Sequence, residues 1–539
     1  MAFTSDDFLL FITLCVAVFY AIPKKFRNYQ WVVLLIASYA FYLASGIPQV
    51  IFLIASTALT YASTMLMQHI RNKNKAYVNS VADTITKEEK KALKTSTNKK
   101  IKRVQVITIL LHLGLLGAIK YLNVLLEDVQ LLGSAFNFNF TAPHFNIIVP
   151  LGISFFTFAS MGYEIDIGRG RYEAEKNPLK VALFVSFFPS VVQGPINRFD
   201  DVGFQLFERH DFDYDQFVKG MELILWGFFQ KLVIADRVNH VVTTIFSQDY
   251  ANYNGTQFFF AQFMYFIQIY ADFAGGIDVA RGVAELFGIK LPENFRQPFF
   301  ATSMSDYWTR WHISLTMWMR EYVFYPVMLS KPVMGLSKKA NKRFGKYFGK
   351  LVPSTITPFV VFFLMGIWHG ADLQHIIYGI YNATAVSAAV ALDPLNTKLK
   401  SWFKVNTEVF SYKVFCMLRV FLIGSGSRLI VKAPDITALK YMVKHIFTDL
   451  PDLNFIFNVN EALYSVGLDR KNMLLLIFAF SIRIVVSILR EVGINVRDKL
   501  HEQNLLFKWI VVGALFFFVL IFGEYGPGYD AAEFLYQAY

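Results

Sequence analysis

The chain has 539 residues, of which 55% are hydrophobic and 17% charged, where soluble domains carry about 25% charge. That balance excludes an ordinary soluble enzyme and reads as an integral membrane protein. The formal charge of +12 does not indicate nucleic-acid binding: residues 71–103 hold eleven Lys and Arg against three acids, residues 331–350 hold seven and no acid, and the remainder is slightly acidic.

Apolar segments approaching the roughly 20 residues that cross a bilayer recur along the whole chain. They fall at 8–22, 31–45, 50–67, 104–124, 147–163, 220–235, 257–271, 354–368, 376–392, 414–431, 472–489 and 507–523. The short or interrupted ones read as re-entrant or interfacial. The expected architecture is all-α and polytopic, with ten or more transmembrane or re-entrant helices in a single membrane domain over residues 1–539.

Charge placement orients the ends of this array. Asp6 and Asp7 precede the first segment, and Lys24, Lys25 and Arg27 follow it, which puts the N-terminus outside. The start lacks the basic region of a cleavable signal, so the first segment is expected to be retained. The basic segments 71–103 and 331–350 then read as cytoplasmic loops, the former resembling a disordered insertion. The tail 524–539 has three acids and no Lys or Arg and is expected to be extracytoplasmic.

Cys15 and Cys416 both lie in apolar runs, and no disulfide framework or metal-ligand spacing is present. Polar residues instead cluster between 151 and 370. Leu151-Gly-Ile-Ser-Phe-Phe-Thr-Phe runs on to Tyr163-Glu-Ile-Asp166. Phe188-Pro-Ser-Val-Val-Gln193-Gly194-Pro195-Ile-Asn197-Arg198 carries a helix-breaking Gly-Pro that frees backbone groups, which membranes tolerate where they line an enclosed cavity. Asp272 and Asp278 flank Gly275-Gly276, and Pro292-Glu-Asn-Phe-Arg296-Gln297-Pro298 leads to Asp306. Each has a plainer reading. The glycines can serve close helix packing, Asp306 and Arg310 can form an i,i+4 ion pair, and Trp308, Trp311, Trp318 and Trp368 can anchor at the interface.

Two histidines stand out from this background. His312 lies in Tyr-Trp-Thr-Arg-Trp-His-Ile-Ser-Leu and His369 in Gly-Ile-Trp-His-Gly, each directly after a Trp. An ionisable ring at membrane depth is costly and usually faces a polar cavity where it acts. The plain alternative is a neutral imidazole bonded to a backbone carbonyl, which suits His312 better than His369, whose flanking glycines leave space around the ring. His69, His112, His144, His210, His240, His375, His445 and His501 read as structural. A neutral imidazole can take a proton from a hydroxyl as it attacks a carbonyl. Neither a Gly-x-Ser-x-Gly elbow nor a Walker loop is present, so His as general base is favoured over a serine nucleophile.

These motifs together resemble the membrane-bound O-acyltransferases, in the bacterial branch of alginate O-acetylation and teichoic-acid D-alanyl transfer. The matching residues are Gly152-Ile-Ser-Phe-Phe-Thr-Phe, Phe188-Pro189, Gln193-Gly-Pro-Ile196, Asp272-Phe-Ala-Gly-Gly-Ile-Asp278, Pro292-Glu-Asn-Phe-Arg-Gln-Pro298, Ser305-Asp-Tyr-Trp-Thr-Arg-Trp-His-Ile-Ser-Leu315 and Gly366-Ile-Trp-His-Gly370. The resemblance implies helices around a central funnel. It makes His369 the central catalytic residue and His312 its companion. Gln193, Asn197, Arg198, Asp272, Asp278, Arg296, Gln297, Asp306, Trp311 and Trp368 are the candidates for lining the passage.

The same resemblance implies an acyl thioester donor on the cytoplasmic side, acetyl-CoA or an acyl carrier protein, with no bound cofactor or metal. It implies an extracytoplasmic polysaccharide acceptor, a hydrolase-like acyltransferase partner outside, and a place in a bacterial inner membrane. The ending Phe534-Leu-Tyr536-Gln-Ala-Tyr539 resembles an aromatic C-terminal motif of the branch, so Tyr536, or Tyr539, is a candidate to carry the acyl group onward. Two other readings stay open: D-alanyl transfer to teichoic acid, and, in another class, a transporter or flippase of a lipid-linked sugar with the histidines as proton relays.

Overall fold

The computed structural model of the chain describes residues 3–135, 141–147, 149–370, 372–449, 451–453, 455 and 466–526. Regular structure among them is helical, and the one strand-like pairing is an isolated antiparallel bridge between Phe295 and Trp311. Among the described residues, six helices are long and apolar enough to cross a membrane: Ile47–Ser80, Lys87–Glu127, Lys346–His369, Phe410–Lys432, Arg470–Glu491 and Leu505–Phe522. A seventh span results if Leu373–Ala391 and Asp393–Trp402, bent by 54° at their junction, are taken together. The protein is therefore a multi-pass membrane protein.

These six or seven are the long apolar spans, and the ten or more transmembrane or re-entrant helices expected from sequence include the shorter apolar segments, which lie outside that set. Segment 31–45 forms the 14-residue helix Gln30–Leu43, which rises only about 21 Å against a hydrocarbon core of about 30 Å. Segment 8–22 forms the 16-residue helix Asp6–Ala21. Segment 147–163 forms Ile153–Arg169, buried along almost its whole length. Segment 220–235 is interrupted by a π-helical turn at Phe229–Ala235, and 257–271 lies inside the 32-residue helix Gly255–Leu286. An apolar run reports burial, and burial in protein and burial in lipid read alike.

The two basic segments also differ from the loops expected. Residues 71–80 continue the helix Ile47–Ser80, and a new helix starts at Lys87 and runs to Ala135. Its start is capped reciprocally: Glu89 N–H donates to Thr86 Oγ (3.2 Å) and Thr86 N–H donates to Glu89 Oε2 (2.9 Å). Residues 331–350 form the helix Lys331–Phe344, a stop at Gly345 with φ 91°, and the first turn of Lys346–His369. Ser337 Oγ ties the two helices by donating to the Gly349 carbonyl at 2.6 Å.

The sequence expectation treats 1–539 as one membrane domain; by backbone contacts the chain groups into two compact units, Met1–Gly220 with Ala280–Pro292, and Met221–Val279 with Glu293–Tyr539. In the first, Ile47–Ser80, Lys87–Ala135 and Ile153–Arg169 pack together. They enclose a polar knot in which Ser63 Oγ donates to Glu164 Oε1 (2.7 Å) and His112 Nε2 lies 3.3 Å from the same oxygen. Both His112 and Glu164 are buried, so each supplies the partner that burial of the other demands. In the second unit, Lys346–His369 packs closely on Leu373–Ala391, which in turn packs on Phe410–Lys432. Both conspicuous histidines belong to this second unit.

Candidate active site

The first histidine is held by the segment that precedes it. Residues 294–296 run alongside 310–313: Arg296 N–H donates to the Arg310 carbonyl (2.9 Å), and Ile313 N–H donates to the Asn294 carbonyl (2.9 Å). Ser314 N–H donates to Asn294 Oδ1 at 2.8 Å. Asn294 thus caps the helix Ile313–Met319 from outside, satisfying two amides its first turn would otherwise leave open. At the head of that helix His312 adopts φ 46°, a left-handed conformation disfavoured for a residue with a Cβ. Gln297, in the same pair of segments, has φ 42°. Backbone held in such regions by its surroundings is characteristic of functional sites. The His312 ring is buried, its Nδ1 is 3.2 Å from Asn294 Nδ2, and Phe273 meets it edge-on at 4.8 Å.

The second histidine ends the helix Lys346–His369 and is partly exposed. Trp368 connects the pair: its ring centroid is 4.5 Å from that of His369 and 6.3 Å from that of His312. The glycines on either side have a purpose different from the space around the ring expected from sequence. A Cβ on Gly370 would overlap the His375 ring, and one on Gly366 would overlap the His375 carbonyl. Both are glycine so that the next helix can come close. His375 is then fixed from the other side: its Nδ1–H donates to Asp372 Oδ2 (2.7 Å) and its backbone N–H to Oδ1 (3.0 Å). The His375 hydrogen bond, against the opposing effect of partial burial, holds the Asp372 carboxyl below its ordinary value.

Arg428 adds a buried cation nearby. Its guanidinium donates to the Tyr307 hydroxyl (2.9 Å) and the Tyr378 hydroxyl (3.4 Å) and lies 4.7 Å over the Trp311 ring. The Tyr378 ring meets His369 edge-on at 6.0 Å. Arg428 thus touches the first histidine motif directly, at Tyr307 and Trp311, and lies one aromatic ring, Tyr378, away from His369. Chemically, the arrangement offers two imidazoles, each held by a side-chain or ring contact, in an aromatic setting with a fixed positive charge.

The remaining sequence candidates distribute as follows. In the second unit, Asp272 receives Lys231 Nζ at 2.7 Å, which also reaches Asp236 at 2.8 Å. Asp278 accepts from Gln230 Nε2 at 3.0 Å. These two carboxylates brace their helix against the π-helical turn. Asp306 forms the i,i+4 ion pair with Arg310 (2.8 Å), and Arg310 also grips Glu491. Gln297 lines a cavity of about 290 Å³ with Tyr270, Phe299, Phe421 and the buried Arg483. In the first unit, Gln193 is fully buried, Asn197 Nδ2 donates to Ser190 Oγ (2.5 Å), and Arg198 pairs with Asp200 (3.6 Å) and Asp166 (3.9 Å). Tyr536 and Tyr539 lie outside the described residues.

Sequence reasoning missed Asn294, Asp372, His375, Tyr378 and Arg428. Asn294 was inside a quoted motif, and its target lies 18 positions away. Asp372 and His375 carried a readable cue, the i,i+3 spacing directly after Trp-His-Gly. Arg428 had none beyond being a cation in an apolar span, which is itself a signal.

Comparison with known proteins places the region carrying both histidines in one family. A profile of the membrane-bound O-acyltransferase family matches residues 174–425, which include both histidines. The teichoic acid D-alanyltransferase of Bacillus subtilis is 30% identical over 51% of this chain and 68% of its own length. The chain belongs to the membrane-bound O-acyltransferase family. Other relatives in the family include the probable alginate O-acetylase AlgI of Pseudomonas syringae pv. tomato, 28% identical over 78% of this chain and 70% of that protein. The peptidoglycan O-acetyltransferase of Helicobacter pylori is 29% identical over 52% of this chain and 54% of that protein. The protein is an acyltransferase enzyme of this membrane-bound O-acyltransferase family.

Proposed function

We propose that the protein moves an acetyl group from a cytoplasmic thioester, acetyl-CoA, to a hydroxyl of an extracytoplasmic polysaccharide, from the inner membrane of a bacterium with both chain termini outside. His369 acts as general base. It takes the proton of the attacking hydroxyl as the new C–O bond forms at the acyl carbonyl. The C–S bond then breaks and the proton passes to the departing thiolate, so that ester and free thiol are the products. The observation that carries this reading is the linkage of His369 and His312 through the single indole of Trp368. The named activities of the relatives, O-acetylation and D-alanyl transfer to cell-envelope polymers, support it. A hydrolase-like partner outside, with Tyr536 or Tyr539 as an intermediate acyl carrier, would complete delivery.

The test uses the full chain in lipid nanodiscs with radiolabelled acetyl-CoA and an oligosaccharide acceptor. Label should reach the acceptor, and His369→Ala should lower the rate by roughly 10²–10⁴-fold. Undiminished transfer by that variant would remove His369 from the role. A D-alanyl carrier protein as sole effective donor would favour the second reading, which the Bacillus relative supports.

A further inference from the structure

We infer that Asn294 is a positioning residue that holds His312 in the tautomer carrying its proton on Nε2, so that His312 meets the acyl carbonyl as a hydrogen-bond donor and leaves proton abstraction to His369. The inference deepens the acyl-transfer reading and rests on it for the identity of the carbonyl.

The orientation of the Asn294 carboxamide follows from its neighbour. A backbone N–H can only donate, and Ser314 N–H points at one end of the amide from 2.8 Å. That end must be the oxygen. The other end is then the NH₂ group, 3.2 Å from His312 Nδ1 and closer to it than Oδ1, which is 3.4 Å away. An amide nitrogen has hydrogens and no lone pair to give, so the shorter of the two contacts makes Nδ1 the acceptor. A neutral imidazole that accepts at Nδ1 bears its hydrogen on Nε2.

The rest of the setting keeps this arrangement from relaxing. Asn294 is almost fully buried and its carbonyl is engaged by Ile313 N–H. The positive φ of His312 fixes the direction in which the ring leaves the backbone. Phe273 blocks rotation on one side, edge-on at 4.8 Å. Two histidines from motifs of similar appearance thereby receive different jobs. A ring with its proton on Nε2 and its Nδ1 occupied has no open lone pair for a hydroxyl proton, but it can polarise a carbonyl and stabilise the oxyanion as it forms.

The decisive measurement is the protonation pattern of the imidazole. Nitrogen NMR of the full-length, histidine-labelled protein in bilayers separates Nδ1–H from Nε2–H rings, and the His312 signals are assigned by their loss in His312→Gln. The expected result for the unaltered protein is a neutral ring protonated at Nε2. A His312 protonated at Nδ1 would overturn the proposal without any variant being made. Asn294→Asp is the second arm. One carboxylate oxygen can still receive Ser314 N–H, while the other now accepts where NH₂ donated, which should move the proton to Nδ1. Acetyl transfer should then fall roughly 10²-fold or more in kcat, with KM for the thioester and the melting temperature little changed. A variant with Nδ1–H and full kcat would also overturn the proposal. A protein that shows the expected tautomer yet transfers no acyl group would leave the tautomer standing and defeat the acyl-transfer reading instead.

Discussion

His375 lies almost parallel to His369, with ring planes 18° apart and centroids 6.4 Å apart. The approach depends on the two glycines that bracket Ile367-Trp368-His369. Gly366→Ala sets a methyl against backbone, the His375 carbonyl, which cannot turn away. It should cost about 1–3 kcal/mol, read as a lowered melting temperature in detergent. Gly370→Ala sets the methyl against His375 Nδ1, so the ring can yield only by giving up its hydrogen bond to Asp372. It should cost about 0.5–1.5 kcal/mol, a smaller melting shift than that of Gly366→Ala, and reduce acyl transfer. Equal melting shifts for the two variants would contradict this account.

Arg428→Lys tests whether the guanidinium matters beyond its charge. The ammonium keeps the charge but not the planar fork that reaches the Tyr307 and Tyr378 hydroxyls together while lying on Trp311. The phenols would be left in a buried setting with fewer partners. A loss of about 1–3 kcal/mol is expected, measured by thermal unfolding, together with reduced transfer. Full stability in the variant would mean that charge alone suffices.

Asp372 links stability to pH. Its folded carboxyl titrates below its ordinary value because of the His375 hydrogen bond. A group depressed in this way contributes stability that is fully present above the unfolded pKa of about 4, and loses it as pH falls through the lower, folded value. Asp372→Asn should therefore unfold more readily than the unaltered protein at neutral pH. The gap should close progressively below about pH 4. Parallel melting curves at both pH values would refute the linkage.

In the first unit, His112 and Glu164 form a buried pair. Glu164→Gln keeps an oxygen for the Ser63 hydroxyl, so a modest change in stability is expected of a neutral hydrogen bond and about 3–5 kcal/mol of a charge couple. His112→Ala removes the ring partner altogether and should destabilise in either case. Comparison of the two melting temperatures decides whether the pair acts as a charge couple or as a neutral hydrogen bond.

Much of the site was legible in the linear sequence, and what was hidden shares a physical cause. His312 and His369 were marked by the cost of placing them in apolar runs, and Gly194-Pro195 by the break it forces. The i,i+4 pair of Asp306 and Arg310 was read and found. Arg428 escaped because its partners Tyr307 and Tyr378 lie 121 and 50 positions away. The same holds for Glu164 and His112, whose separation is 52. Periodicity and composition describe a residue's surroundings on average and say nothing about which distant side chain fills them. Ile153–Arg169 is buried in protein along almost its whole length, which an apolar composition does not distinguish from burial in lipid.

The length of two helices in the first unit carries a consequence for the cell. Ile47–Ser80 and Lys87–Ala135 pack along one another and are joined by a short connection. Residues 71–80 extend one of them by about 15 Å and residues 87–103 the other by about 25 Å. Both distances exceed the roughly 10 Å over which a charge is felt in cellular salt. The +8 of this stretch is therefore graded along the two helices: Arg71, Lys73, Lys75, Lys99, Lys100, Lys102 and Arg103 lie within two turns of its base, and Lys87, Lys90, Lys91 and Lys94 stand further out. Anionic solutes would be drawn towards the protein faster in dilute buffer than in strong salt, with no change in what happens once they arrive.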